Sequence, residues 1–100
     1  MPYILLELGR AFCHVERYEE ALDPLSRVIS DRPYWLSART LLIVVCIGLG
    51  RVEMAKQHAA EVMRTSPSFS IGSWARTLPY KNPDDRKRHL DALRNAGLPE

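Results

Sequence analysis

Along the first half of the chain, apolar residues follow the i, i+3, i+4, i+7 spacing of amphipathic helices. This spacing predicts one helix on each side of residues 16–17, and two more over roughly Ser37 to Leu49 and Val52 to Arg64. Pro24 falls inside the second helix and removes its hydrogen bond to the Glu20 carbonyl, so we expect a bend there on the solvent side. The defining positions are Ile4, Leu5, Leu8, Ala11, Phe12 and Val15, followed by Tyr18, Ala21, Leu22, Leu25, Val28 and Ile29.

The stretch LLIVVCIGLG, from Leu41 to Gly50, is strongly apolar. A membrane-spanning helix needs about 20 apolar residues, and this run is closely bracketed by Arg39 and Arg51. The N-terminal stretch MPYILLELGR contains charged residues that interrupt it, unlike a secretory signal. We therefore expect a soluble, cytoplasmic protein in which this stretch belongs to a buried helix, because a helix that is apolar all round is normally buried.

Beyond Pro67 the pattern predicts a short helix and then a capped helix. The short helix has an inward face of Ile71, Trp74, Ala75 and Leu78, and Pro79 stops it. The last helix carries the usual end signals, with an N-cap, a first-turn proline, first-turn acidic residues and a glycine after the end. Those residues are Asn82, Pro83, Asp84, Asp85 and Gly97, and the thin apolar stripe between them is Leu90, Leu93 and Ala96.

The chain also repeats itself with a period of about 34 residues, which we call the repeat period. Residue class is kept at Ala11/Val45 and Val15/Leu49, so the matches fall on the apolar positions of the predicted helices. The identical pairs are Leu8/Leu42, Arg17/Arg51, Glu19/Glu53, Ala21/Ala55, Val28/Val62 and Pro33/Pro67.

These units resemble the tetratricopeptide repeat (TPR). The resemblance is carried by Leu8, Gly9, Phe12, Tyr18, Ala21, Leu25 and Pro33 in the first unit, and by Leu42, Gly50, Ala55 and Pro67 in the second. It implies an all-α fold, an α-solenoid of two TPR helix-turn-helix units plus a C-terminal capping helical hairpin. We expect a single domain over residues 1–100, with a first repeat at 2–35, a second at 36–69 and capping helices at 70–98.

The segment SWARTLPYKNPDDRKRHLDALRNAGLPE resembles the tail that follows TPR units in bacterial class III adenylate cyclase-type signalling proteins. In such proteins the cyclase domain lies upstream, and this chain contains none of it. The resemblance implies the scaffold end of a larger signalling polypeptide, or a relative that lost the enzyme.

The TPR resemblance also assigns a concave groove in which a protein or peptide partner would bind. Apolar side chains of the partner would be buried against Leu6, Val44 and Ile47, with Arg10 and His14 setting the orientation. The groove positions are Tyr3, Leu6, Arg10, Cys13 and His14 from the first unit, and Ser37, Thr40, Leu41, Val44 and Ile47 from the second.

Two alternatives remain open for these apolar surfaces. The C-terminal helix or an upstream repeat could cover the groove. The first helix, with Tyr3, Ile4 and Leu5 uncapped, could instead make the chain a homodimerisation module. A carboxylate clamp of the chaperone-binding kind is not expected, since the corresponding positions hold Leu6, Arg10, Leu41, Ile71 and Ala75.

Composition adds little chemistry to this picture. The net charge is +2, with 14 basic and 12 acidic residues, which does not favour a nucleic-acid partner, and the basic run Arg86 to His89 is offset by nearby aspartates. Cys13 and His14 are adjacent in a helix and therefore do not face each other. Neither the cysteines nor the three histidines have metal-ligand spacing. We expect no catalysis, cofactor, metal or membrane contact.

Overall fold

The computed structural model describes residues 2–78 and 82–100, except for the side chains of residues 2 and 3. Its described residues form helices and no strands. The predicted stop at Pro79 lies outside the described residues. The helices are α1 (Pro2–His14), α2 (Tyr18–Asp31), α3 (Leu36–Gly48), α4 (Val52–Thr65), α5 (Ile71–Ala75) and α6 (Pro83–Asn95).

The repeat period of the sequence recurs in the backbone. Shifting the bounds of α1 by one repeat period gives those of α3, and the same shift carries α2 onto α4. The residues before α2 and α4, Arg17 and Arg51, have φ/ψ of −92°/67° and −92°/66°. The residues that follow these helices, Arg32 and Ser66, have −135°/77° and −138°/74°. The two helix pairs therefore share one local geometry.

The turn inside each pair follows the same hydrogen-bonding scheme. Arg17 N donates to Phe12 O and Arg51 N to Cys46 O, both at 2.8 Å, which is the long bond of a Schellman helix end. The residue before each of these donors takes a left-handed conformation, with φ of 59° at Glu16 and 76° at Gly50. Glycine adopts this conformation freely, whereas a glutamate is strained in it.

Small residues set the spacing within the first pair. A methyl group at Gly9 would lie 2.5 Å from Leu25 Cδ2, too close for α1 and α2 to keep their present contact. Ala21, on α2, is fully buried. Pro24 lies within an unbroken α2 and is buried, so its expected position on the solvent side is wrong.

The helices pack around two clusters of buried side chains. The first joins α1, α2 and α3 around Ala21, Leu25 and Leu42. The second joins α3 and α4 to the C-terminal helices around Ile43, Ile71 and Leu93. Because α3 contributes to both clusters, the residues from Leu41 to Cys46 are all buried, as the apolar run predicts.

The C-terminal helices turn back onto the second unit. Asn82 caps α6, its side chain accepting a hydrogen bond from Asp84 N at 2.8 Å, and Gly97 follows the helix with φ of 96°. Both end signals are confirmed. Ile71 N and Gly72 N donate to the carbonyls of the last two residues, at 2.8 and 3.0 Å, which fastens the chain end to α5. Helix α6 packs against both α5 and α3.

Candidate functional site

The predicted groove positions are mostly enclosed. Thr40 is fully buried and Leu41 is 2% exposed, while Leu6, Val44 and Cys13 are 4%, 5% and 7% exposed. Arg10, Ser37 and Ile47 are half-buried and His14 is exposed, whereas the side chain of Tyr3 lies outside the described residues.

Helix α6 is the element that encloses one end of the groove. His14 Nδ1 lies 3.1 Å from Asp85 Oδ2, and Arg88 Nε lies 3.7 Å from Glu16 Oε1. Below these polar contacts, Val44 and side chains of α1 and α6 surround a cavity of only about 10 Å³, which leaves room for about one water molecule. The first half of α6 therefore closes the groove over the end of α1.

Leu6 is not available to a partner as an apolar anchor. It belongs to the cluster formed with α2 and α3, where it is buried together with Leu25 and Leu41. In this structure the side of α1 that carries Leu6 faces the core, so Leu6 is not exposed to a partner.

A second cavity, of about 190 Å³, lies between the groove helices and the C-terminal segment. Trp74 Nε1 donates a hydrogen bond to His89 Nε2 at this cavity, at 3.2 Å. His89 is 3% exposed, and burial, reinforced by the positive charge of Arg10, lowers its pKa from 6.5 to about 4. Neutral His89 is the form that can accept from Trp74. The predicted groove residues Arg10, Ser37, Thr40 and Leu41 all line this enclosed space.

One part of the groove remains open as a cleft of about 410 Å³ beside α6. Its apolar surface comes from Val44 and Ile47 of α3 together with Tyr18 of α2. The opposite wall is polar, and there Lys87 Nζ donates to Asp91 Oδ2 at 2.7 Å. We call this space the α6 cleft, and the rest of its lining is Gly48, Asp84, Arg88, Ala92 and Asn95.

The α6 wall of this cleft was not predicted, because the apolar pattern of the helix draws attention only to the stripe Leu90, Leu93 and Ala96. Ala92 and His89 are also buried and extend the buried surface of α6 to a second side. The small side chain of Ala92 was the available signal, since a small residue permits a close approach of two helices.

The cysteines do not have the environment of nucleophiles. Burial raises the pKa of the Cys13 thiol to about 12, outweighing the charges of Arg10 and Arg88 that lower it. Burial also raises the pKa of Cys46. The thiolate is the reactive form of cysteine, and both groups are held as thiols at neutral pH.

Cys13, His14, Asp85 and His89 line the same small cavity. Even so, no group of three or more His, Cys, Asp or Glu in the described part of the chain is arranged to hold a metal ion. His58 lies elsewhere, on α4, with its Nδ1 3.0 Å from Arg39 Nη1.

The basic run of α6 is engaged with the protein itself. Arg86 Nη1 donates to the Ala75 carbonyl at 2.8 Å, Lys87 pairs with Asp91, and Arg88 Nη2 lies 3.4 Å from Asp85 Oδ1. The hydrogen bond of Arg86 ties α6 to the end of α5, whereas the two ion pairs lie within α6 and offset its positive charge.

None of the helices in the described ranges is long and apolar enough to cross a membrane. Comparisons with models of known protein families and with curated proteins found no match to this chain.

Proposed function

We propose that this chain is a non-catalytic protein-interaction module built from two TPR units. The observation that carries the proposal is the backbone repeat, in which two helix pairs and their turns recur after one repeat period. That period equals the length of a TPR. The close approach of α1 and α2 at Gly9 supports the proposal as well, because small residues have this mechanical role in TPR helix pairs.

The α6 cleft is where a partner would bind. Its apolar surface at Ile47 and Tyr18 would receive one apolar side chain of a peptide. Lys87 and Asp91 on the opposite wall offer both signs of charge to the flanking residues. A cleft of about 410 Å³ suits a short segment of this kind, since ligand pockets commonly measure about 300–1,000 Å³.

Binding along the whole groove would require the first half of α6 to move. That half is held on α1 by the polar contacts of Asp85 and Arg88. The second half is fastened by Leu93 in the core, together with Leu98 after the helix. A longer partner would therefore replace the polar contacts while the apolar anchor of α6 stayed in place.

The wider setting that we propose is the cytoplasm, in a bacterial signalling protein of the cyclase-associated type. This part rests on the resemblance of residues 73–100 alone. Homodimerisation is a second candidate function, and it is favoured by the exposed apolar residues Ile4 and Leu8 on α1 and Val15 directly after it.

Selection of peptides from a random displayed library on the immobilised full chain would test binding in the cleft. Peptides that carry one apolar residue flanked by charges are expected to bind the wild type and to lose binding to Ile47→Glu. Met54→Glu is the matched control, because Met54 is an exposed apolar residue on α4 outside the cleft. Circular dichroism would verify that both variants are folded. A library that yields no binders, or binders that tolerate Ile47→Glu, would contradict the proposal.

A further inference from the structure

One side of α1 is apolar and exposed. Ile4, Leu8 and Val15 are 63%, 44% and 61% exposed, and Ala11 lies exposed between them. Residues at this i, i+4, i+7, i+11 spacing share one side of a helix. Val15 follows α1 and continues its hydrogen bonding, with Val15 N donating to Ala11 O at 3.4 Å. We call these four residues the α1 stripe.

The internal repeat shows how the second unit uses the same positions. Ala38, Leu42 and Val45, each one repeat period later, are 0%, 3% and 0% exposed. They belong to the cluster that contains Leu25 and Val28 of α2. Side chains of the same kind, on the equivalent side of the equivalent helix, are therefore covered in the second unit and exposed in the first.

We infer that the α1 stripe is an interface with a second copy of this chain, formed by two antiparallel α1 helices around a twofold axis between Gly9 and Arg10. In each chain, α2 covers α3 with a surface that includes Leu25 and Val28. The α2 of a second copy cannot cover the α1 stripe in the same way, because its Leu25 and Val28 are already buried in its own core. The apolar surface that a copy does expose at this end is the α1 stripe itself. A contact between two identical stripes is closed and twofold symmetric.

Side-chain sizes in the stripe suit this arrangement. With the axis between Gly9 and Arg10, Leu8 lies opposite the partner's Ala11, so a large side chain meets a small one. Ile4 in turn lies opposite the partner's Val15, at the two ends of the contact. Alternation of large and small residues across the axis allows the helices to approach closely.

The charges beside the stripe favour the antiparallel orientation. Glu7, Arg10 and His14 lie along one edge of the stripe at helical spacing. The carboxylate of Glu7 is 64% exposed and accepts a hydrogen bond from Arg10 Nη1 of the same helix. In the antiparallel pair, Glu7 comes to lie between the partner's Arg10 and the partner's His14. In a parallel pair the two edges that carry Glu7 would lie on opposite sides of the contact, and this pairing of opposite charges would be lost.

The contact is small and the dimer is accordingly weak. One helix face buries less than the roughly 800 Å² per partner that is usual for stable complexes. We expect a dissociation constant on the order of 0.1 mM, in the range of transient interfaces.

Sedimentation of the full chain from about 10 μM to about 1 mM, spanning that dissociation constant, would test the interface. The average mass should rise from 11.4 kDa toward twice that value. Leu8→Glu should keep the chain monomeric, while Met54→Glu should dimerise like the wild type, since Met54 is 41% exposed and Leu8 44%. A wild type that stays monomeric throughout, or variants that behave alike, would overturn the inference.

A charge exchange tests the orientation separately. Glu7→Lys should weaken the dimer about threefold or more, because the new lysine of one copy would face the partner's Arg10 in place of a carboxylate. The double variant Glu7→Lys/Arg10→Glu should recover the wild-type association. A dimer that is indifferent to both changes would exclude the antiparallel register. Association is read here without any peptide, so this result is independent of binding in the α6 cleft.

Discussion

The thiol of Cys13 should report whether α6 closes the groove. Cys13 is 7% exposed beneath Asp85 and Arg88, and burial raises its pKa from an ordinary 9.0 to about 12. At pH 8 the reactive thiolate should therefore be about 10³-fold scarcer than in an unburied cysteine. Alkylation of Cys13 in the wild type should therefore be strongly slowed, since access is restricted too.

Asp85→Lys is the perturbation that should release the first half of α6. It removes the contacts of Asp85 with His14 and Arg88 and places a cation beside both. These groups are partly exposed, with side-chain exposures of 20% to 37%, so the two contacts contribute together only about 1–2 kcal/mol. An opening equilibrium shifted by that amount should accelerate alkylation of Cys13 about 5- to 30-fold.

Two controls separate opening of the groove from other effects. Asp84→Lys makes the same change of charge in the same turn of α6, but Asp84 lines the α6 cleft instead of contacting His14. It should leave Cys13 protected. Cys46, fully buried between α3 and α4, reports global unfolding in the same sample.

Mass spectrometry of peptides after timed maleimide labelling would measure both cysteines at once. Fast labelling of Cys13 in the wild type would refute closure by α6. Equal acceleration in the two lysine variants would mean that charge at the helix end, rather than the contact with His14, controls access. Labelling of Cys13 and Cys46 in step would show that the whole fold opens.

Three further predictions concern stability. Glu16→Gly should stabilise the fold by about 0.5 kcal/mol, because relief of the left-handed conformation that strains glutamate outweighs the loss of its exposed contact with Arg88. Gly50→Ala should lower the free energy of unfolding by about 1 kcal/mol through backbone strain alone, since an added Cβ would meet nothing within 4 Å. Chemical denaturation that shifts the stability of both variants in the same direction would contradict these two predictions. Acidification from pH 7 to pH 4 should lower the free energy of unfolding by up to about 3 kcal/mol through His89. The pKa of His89 in the folded chain is about 4, below the ordinary 6.5, so in this interval mainly the unfolded chain takes up the proton. Urea unfolding at several pH values should show a smaller acid loss for His89→Gln, and an unchanged loss would exclude His89 as its source.

The helices could be predicted because their signals are local. Asn82 and Pro83 begin α6 and Gly97 follows its end, each for a reason that depends only on neighbouring backbone groups. The spacing of apolar residues likewise predicted a third and a fourth helix whose bounds agree closely with those of the structure. Pro24 was misplaced because the rule for proline concerns its own hydrogen bond and says nothing about which side of the helix is covered.

The site could be predicted only in part, because the burial of a side chain depends on contacts between segments that are far apart in the sequence. The apolar pattern identified α1 as amphipathic but did not separate Leu6, which faces the core, from Leu8, which faces outward. Nor did it place α6 against α3. Helix α5 ends at Ala75 after 5 residues, so no long helix follows α4 directly, and α6 packs against α3 instead.

The N-terminal and C-terminal parts of the fold consequently differ, and in the dimer that we infer this difference would limit how far copies assemble. At the C-terminal end, Leu93 and Leu98 complete the core beside α4. At the other end, Leu8 and its neighbours on the α1 stripe remain exposed. If both ends were apolar and complementary, head-to-tail contacts could continue into a filament. In the dimer that we infer, pairing of two α1 stripes would use up the surface that drives it, and assembly would stop at two chains.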